Sequence, residues 1–208
     1  VATFVPIPTV VTTPVPGVRI GTSTPVPTAV PTPTFTPVPP TPTPVPPIRH
    51  FLGVSRHISV QIDAVEADRI MDDASDLLQT ANRPGDVATN VEFTRLSPVT
   101  AFTLGNGIIN DPADFTAVER LPGNVKVVNQ IRWCGRTFVT GFPIGCASSN
   151  STSLTVVRWF PNWEGSLWAH EFGHNRNLAH RNVPNALMLE TSGPDQDSVN
   201  QAESNAFR

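Results

Sequence analysis

Four residues near the end of the chain have the types and the spacing of a metal site. His170 and His174 lie four residues apart in a segment that can form one helix, so their rings project from the same face, with Cβ atoms roughly 6 Å apart. Two imidazole nitrogens at that separation can reach one Zn²⁺ at about 2.0–2.1 Å. Glu171 follows the first histidine and can hydrogen-bond a water molecule without being a ligand itself. His180, six residues after His174, is the candidate third ligand.

A third ligand on the same ion requires the helix to end and the chain to turn back after His174. Asn177 stands where this break belongs, and asparagine tolerates the left-handed backbone region better than other non-glycine residues. Three histidine ligands leave the fourth tetrahedral position for water, which is typical of a catalytic zinc site and not of a closed structural one. Three of the five histidines of the chain fall within these eleven residues, which favours a metal site over incidental surface histidines.

The pattern His-Glu-x-x-His-x-x-Asn-x-x-His, from His170 to His180, resembles the metzincin signature, in which glycine stands at the position of Asn177. Metzincins also have a methionine turn beneath the zinc, and Met188, eight residues after the third histidine, fits that role. The Trp-Ala-His-Glu-Phe-Gly-His-Asn context resembles secreted bacterial reprolysin-like members. The chain departs from those members at Arg181, where they commonly carry aspartate.

The resemblance implies a zinc endopeptidase that cleaves protein or peptide substrates with one catalytic Zn²⁺. The three histidines would hold the ion, Glu171 would act as the general base, and Met188 would form an apolar floor. The implied fold is an α/β (α+β) catalytic domain, in which a mixed twisted sheet and two long helices precede a small C-terminal subdomain. Members of the family often bind Ca²⁺ as well, although the sequence contains no EF-hand spacing.

Two other functions use the same residues. A non-catalytic binding module at the cell surface could hold a metal, but binding alone does not require the carboxylate of Glu171. A zinc hydrolase acting on another amide, such as a cell-wall crosslink, would use the same attack by water. The sequence does not distinguish this hydrolase from a peptidase.

Hydrophobic periodicity predicts strands and helices around the motif within residues 48–208. Asp-Ala-Val-Glu at 63–66 is a capping-box pattern before a helix whose apolar positions recur every three or four residues and which ends before Arg83. The second long helix, at 163–176, carries the metal motif. The other predicted elements are strands at 57–62, 91–96, 125–133 and 153–159, and short helices at 111–121 and 199–207. From the family resemblance, we expect the strand at 153–159 to be the edge to which an extended substrate adds.

Residues 1–47 differ in composition from the rest of the chain. Proline, threonine and valine occupy 37 of these 47 positions, and Arg19 is the only charged residue. Since each proline fixes φ near −65° and keeps the preceding residue extended, we expect a disordered linker or stalk before a single catalytic domain at 48–208. A threonine-glycosylated stalk and a ligand for a proline-binding module are the alternatives.

Charge and cysteine content indicate the setting of the domain. A net charge of −3 without a basic stripe argues against a nucleic-acid partner, and no run of 18 apolar residues could span a bilayer. Cys134 and Cys146 predict one disulfide in an exported protein and two free thiols in a reducing cytosol. Because the stalk favours export and the chain begins at Val1, we expect an extracellular or cell-surface monomer whose signal or anchor lies upstream.

Overall fold

Five strands form the central sheet of the computed structural model, which describes Gly17 and residues 45–208. In chain order, the strands are β1 Ile48–Leu52, β2 Val54–His57, β3 Val91–Arg95, β4 Thr100–Phe102, β5 Ile108–Ile109, β6 Val125–Val128, β7 Gln130–Ile131, β8 Gly145–Ala147 and β9 Leu154–Val157. The central sheet has the order β4-β2-β6-β9-β8, with β8 antiparallel to β9 and the other neighbours parallel. Strands β1 and β3, and strands β5 and β7, form two further parallel pairs.

Helices cover both faces of the sheet. They are α1 Ala64–Gln79, α2 Pro112–Glu119, α3 Glu164–Asn175 and α4 Gln201–Phe207. Helix α1 starts at Asp63, whose carboxylate accepts a hydrogen bond of 2.9 Å from the backbone N–H of Glu66. The main core joins α1 and α3 to Val125 and Val127 of β6, whereas α2 packs on the opposite face, where Val128 is buried. Among the described residues, no helix has the length and apolar character needed to cross a membrane.

Two contacts fix the start of α3, the helix that carries the metal motif. Its backbone approaches α1 at Gly165, where a Cβ atom would lie 2.7 Å from the Cβ of Asp73. Glu164, buried at the first position of α3, accepts hydrogen bonds of 2.6 Å from Arg158 and 3.3 Å from Arg69. Since a buried carboxylate requires charged partners, these two arginines hold the beginning of α3 in place.

The structure confirms the mixed α/β fold and both long helices. The predicted bounds of the motif helix, 163–176, agree with Glu164–Asn175. The predicted strand at 125–133 is divided into β6 and β7, and the last helix begins at Gln201, two residues later than predicted. The predicted linker at 1–47 lies almost wholly outside the described residues, so its organisation stays a prediction.

The predicted strand at 57–62 is wrong. The strand is Val54–His57, after which the chain turns, with the N–H of Val60 donating to the carbonyl of His57. Ile58 in this turn is exposed, although the alternation of apolar residues places it on the same face as Val60. An alternating pattern therefore coincided here with a turn that buries only some of its apolar side chains.

The predicted substrate edge at 153–159 is also wrong. Strand β9, Leu154–Val157, lies inside the sheet between β6 and β8, and the sheet ends at β8. Strand β8, which contains Cys146, lies between the predicted strands at 125–133 and 153–159, in a stretch whose glycines and Pro143 indicate loop. The pairing with β9, and not a periodic pattern of its own, makes this short segment a strand.

Candidate metal centre

Helix α3 presents two histidines on one face, one turn apart. The Nε2 atoms of His170 and His174 lie 3.1 Å from each other, and both side chains are half-buried. The helix then ends in a Schellman motif: the N–H of Leu178 donates to the carbonyl of Gly173, and the N–H of Asn177 donates to that of His174. Asn177 has φ 64°, the left-handed conformation that the sequence predicts for this position.

The turn at Asn177 brings the third histidine back to the helix. His180 Nε2 lies 3.1 Å from His174 Nε2, and the ligand atoms of the three histidines all fall within 4.8 Å of one another. Two nitrogens bound to one tetrahedral ion at 2.0–2.1 Å are roughly 3.3–3.4 Å apart, close to the spacing observed. The three nitrogens thus converge on a common point, as ligands of one ion must.

Backbone carbonyls orient the two helical histidines. His170 Nδ1 lies 2.8 Å from the carbonyl oxygen of Leu187, and His174 Nδ1 lies 2.8 Å from that of Leu178. When each Nδ1–H donates to its carbonyl, the lone pair of Nε2 faces the common point. Burial lowers the pKa of His170 to about 4 and also lowers the pKa of His174, so both rings are neutral at pH 7. Three imidazole nitrogens that converge on one point, with the fourth tetrahedral position open, fit Zn²⁺ as a catalytic ion.

Glu171 is buried beside the histidines and lines the same cleft. Burial raises the pKa of its carboxyl group to about 8, and Oε2 has no hydrogen-bond partner among the described residues. The backbone of β8 passes directly over this carboxylate at Gly145, where a Cβ atom would collide with Glu171 Oε1. A glycine is therefore required for the edge strand to lie this close to the carboxylate.

Met188 lies under the site, where it is fully buried. Its carbonyl accepts a hydrogen bond of 2.8 Å from the N–H of Arg181, the residue after the third histidine. Asn185, with φ 64°, lies in the turn that precedes Met188. The methionine is thus tied to the same chain segment that positions His180.

Arg181 has a structural partner that the sequence analysis missed. Its guanidinium donates hydrogen bonds of 2.7 and 3.0 Å to the buried carboxylate of Glu203 and one of 2.7 Å to the carbonyl of Ser198. Glu203 also completes a capping box with Asn200 at the start of α4. The Asn-x-x-Glu spacing at 200–203 was the sequence signal for this capping box. The buried carboxylate of Glu203 explains why an arginine directly follows the third histidine.

A cleft of about 610 Å³ opens in front of the site. One of its walls is the segment closed by the disulfide between Cys134 and Cys146, whose Cα atoms are 5.7 Å apart. Arg136 in this wall lies 3.6 Å from Glu190, which follows the methionine segment, so an exposed ion pair joins two sides of the cleft. The remaining lining combines apolar side chains with hydroxyl and amide groups: Phe138, Phe142, Ile144, Trp159, Ser166, Leu167, Leu187, Thr191, Ser192 and Gln196.

The fold described above resembles those of solved protein structures. Neither a family model nor a curated relative matches the chain by sequence. Archaemetzincin from Methanopyrus kandleri superposes with a TM-score of 0.52 at 14% identity, over 77% of this chain and 93% of that one. Mirolysin in complex with compound 9 superposes with a TM-score of 0.55 at 11% identity, over 79% of this chain and 91% of that one. The chain therefore has the same type of fold as archaemetzincin and mirolysin.

Proposed function

We propose that this protein is a zinc-dependent endopeptidase that hydrolyses peptide bonds in protein or peptide substrates. The observation that carries the proposal is the meeting of three histidine nitrogens and the Glu171 carboxylate in one cleft. The fold that the chain has in common with archaemetzincin and mirolysin supports the same activity.

The roles of the residues follow from their positions. Zn²⁺, when bound, supplies a Lewis acid that polarises the scissile carbonyl and makes water a stronger nucleophile. His170, His174 and His180 would hold the ion. Glu171 takes a proton from the attacking water and delivers it to the leaving amine. Three observations support this role. Glu171 follows the first ligand, it lines the cleft, and its Oε2 has no hydrogen-bond partner among the described residues.

An extended substrate would pair with the outer side of β8, the last strand of the central sheet. This strand is antiparallel to β9 on one side, and it ends the central sheet on the other. Backbone pairing along the edge of a sheet binds a peptide whatever its side chains are, while the lining of the cleft would select among them. The contact of Gly145 with Glu171 would place a peptide bond of such a substrate near the general base.

The finer assignment to the metzincins and the location are part of the proposal. The signature from His170 to His180 and the placement of Met188 beneath α3 support membership of the metzincins. The disulfide and the Pro/Thr-rich residues 1–47 support an exported, extracellular or cell-surface protein.

Cleavage profiling tests the proposal. The zinc-loaded protein and its Glu171→Ala variant are incubated with a denatured proteome, and new peptide termini are identified by mass spectrometry with and without a chelator. We expect termini that disappear with the chelator, return with added Zn²⁺ and are absent with the variant. If the zinc-loaded protein produces no new termini, the proposed peptidase activity is wrong, and cell-wall amides become the next substrates to examine.

A further inference from the structure

Three aromatic side chains form a cluster between the end of β9 and the start of α3. Trp159 and Phe160 follow β9, and Trp163 directly precedes α3. The ring centroids of Trp159 and Phe160 are 5.1 Å apart, and those of Phe160 and Trp163 are 4.8 Å apart. Trp159 is 40% exposed and Phe160 is 55% exposed, so this aromatic cluster presents ring surface outside the core.

The backbone that carries the aromatic cluster is fixed by a buried carboxylate. Glu164 accepts hydrogen bonds of 3.1 Å from the backbone N–H of Trp159 and 2.6 Å from the guanidinium of Arg158. The N–H of Trp163 donates to the carbonyl of Phe160 at 2.8 Å, which closes the turn between them. A surface whose backbone is already held in place loses less conformational entropy when a ligand binds to it.

The aromatic cluster is continuous with the cleft in front of the histidines. Trp159 lines that cleft beside Ser166 and Leu167 of α3. A second exposed ring, Phe142, lines the cleft from the wall that the disulfide closes, and this ring is 37% exposed. Because the rings of Trp159 and Phe160 pack edge to face, apolar surface extends from the cleft onto the cluster.

The charged groups near this surface are already paired or have another role. Apart from the histidines, the acidic and basic side chains that line the cleft in the described part of the chain are Arg136, Glu171 and Glu190. Arg136 and Glu190 pair with each other, and Glu171 is the proposed general base. Arg158, next to the aromatic cluster, pairs with the buried Glu164. The exposed rings therefore fit an apolar side chain better than a charged one.

Strand pairing shows which end of β8 the aromatic cluster is near. The N–H of Val157 donates to the carbonyl of Ile144, and Trp159 follows two residues later, so the cluster lies beyond the N-terminal end of β8. A substrate strand antiparallel to β8 would run toward that end. Since β8 meets Glu171 at Gly145, its first residue, the residues after the scissile bond would be the ones that reach the cluster.

Given the proposed peptidase function, on which this inference rests, we propose that the aromatic cluster binds an aromatic or large aliphatic side chain of the substrate on the C-terminal side of the scissile bond. Burial of such a side chain against Trp159 and Phe160 removes apolar surface of both partners from water. An aromatic side chain gains more than an aliphatic one, because its ring can continue the edge-to-face packing of the cluster. The preferred substrates are thus polypeptides with an apolar residue a short distance after the cleaved bond.

The test uses the zinc-loaded protein and a set of fluorogenic peptides built on one sequence that it cleaves in the denatured proteome. The second, third and fourth residues after the scissile bond are replaced in turn by phenylalanine, leucine, serine, arginine or glutamate. We expect kcat/KM to be at least about tenfold higher with phenylalanine than with serine at one of these positions, as burial of a large apolar side chain predicts. Leucine should lie between them, and the difference should reside mainly in KM.

Variants of the aromatic cluster then show whether its rings produce this preference. Trp159→Ser/Phe160→Ser should reduce the ratio of kcat/KM for phenylalanine over serine to within about threefold of one, because the apolar surface is removed. Phe51→Ser is the matched control: it removes a phenylalanine of similar exposure, 53%, from β1, outside the cleft, and should keep the full ratio. If the double variant does not fold, Phe160→Ser should give an intermediate ratio.

Failure of this inference can be distinguished from failure of the peptidase function. Cleavage without an apolar preference at the three positions, a preference for arginine or glutamate there, or an unchanged ratio in the cluster variants would overturn the inference and leave the peptidase intact. Absence of cleavage in every peptide and in the proteome would overturn both. A dimer in sedimentation velocity that the cluster variants abolish would assign the rings to contact between two copies of the chain, and would also overturn the inference.

Discussion

The side chain of Met188 lies directly against the backbone of Gly173 in α3. A Cβ atom on Gly173 would lie 2.5 Å from Sδ and 3.1 Å from Cε of the methionine. Gly173 precedes the second histidine, His174, and the carbonyl of Met188 accepts a hydrogen bond from the N–H that follows His180. The methionine therefore contacts both of the chain segments that deliver ligands.

Gly173→Ala should destabilise the protein, although the same change in an exposed helix is stabilising by up to about 1 kcal/mol. The added methyl group has to displace the Met188 side chain in a closely packed region, and we expect the free energy of unfolding to fall by roughly 1–3 kcal/mol. Urea denaturation of the zinc-loaded protein measures this change. In a Met188→Ala background the Gly173→Ala change should cost less, with only the Leu178 side chain at 3.3 Å left close to the added methyl group. An equal cost in both backgrounds would disprove the contact with Met188.

Glu171→Ala should keep about one Zn²⁺ per chain and lower the turnover number by at least about 10²-fold, the lower range for loss of a general base. The reason is that Glu171 is not among the three converging ligands but lines the cleft beside them. Metal analysis and peptide hydrolysis by the same preparation provide the two measurements. Retained activity would show that Glu171 is not the general base. Loss of zinc would show that Glu171 is needed for metal binding.

Asn177→Gly should be nearly neutral for zinc binding, whereas Asn177→Val should weaken it. Glycine adopts φ 64° without strain but loses the side-chain hydrogen bond to Asn150, and a β-branched residue is strained at this φ. The strain would displace His180 more than the histidines of α3. Zinc affinity from chelator competition compares the three proteins, and equal affinities of wild type and the valine variant would contradict the prediction.

Arg181→Met should destabilise the protein by roughly 3–5 kcal/mol, because it leaves the buried carboxylate of Glu203 without its charged partner. The double variant Arg181→Met/Glu203→Met removes both charges and should be less destabilised than Arg181→Met. Thermal or urea unfolding of the wild type, the two single variants and the double variant measures the coupling. Additive losses would show that the two side chains contribute independently.

Stability should rise with pH above about 8 because of Lys126, which is fully buried in β6. Burial lowers the pKa of this lysine from 10.5 to about 8, against the opposing effect of nearby Glu119. Between these values the unfolded chain binds a proton that the folded chain has released. The free energy of unfolding therefore increases with pH there, by at most about 1.4 kcal/mol per pH unit. Lys126→Met should lack this increase, and parallel profiles of the two proteins between pH 7 and 10 would contradict the assignment.

Local patterns were sufficient to predict the helices and the turn at Asn177. A helix depends on residues three and four positions apart, and a helix end depends on the φ that one residue can adopt, so both can be read from short segments. The strands were less predictable because their identity depends on partners. Residues 57–62 alternate but form a turn, whereas Gly145–Ala147 show no alternation and become the edge strand through pairing with β9.

Residue types and spacing are enough to identify the side chains that can bind zinc and the place where their helix must end, because these properties depend on residues within a few turns of each other. The surroundings of the ligands depend on contacts between distant parts of the chain. The carbonyl of Leu187 orients His170 from 17 residues away, Glu203 pairs with Arg181 from 22 residues away, and Gly145 brings the sheet edge to Glu171. Contacts between residues this far apart in the chain exist only after the sheet, the helices and the methionine segment have packed together.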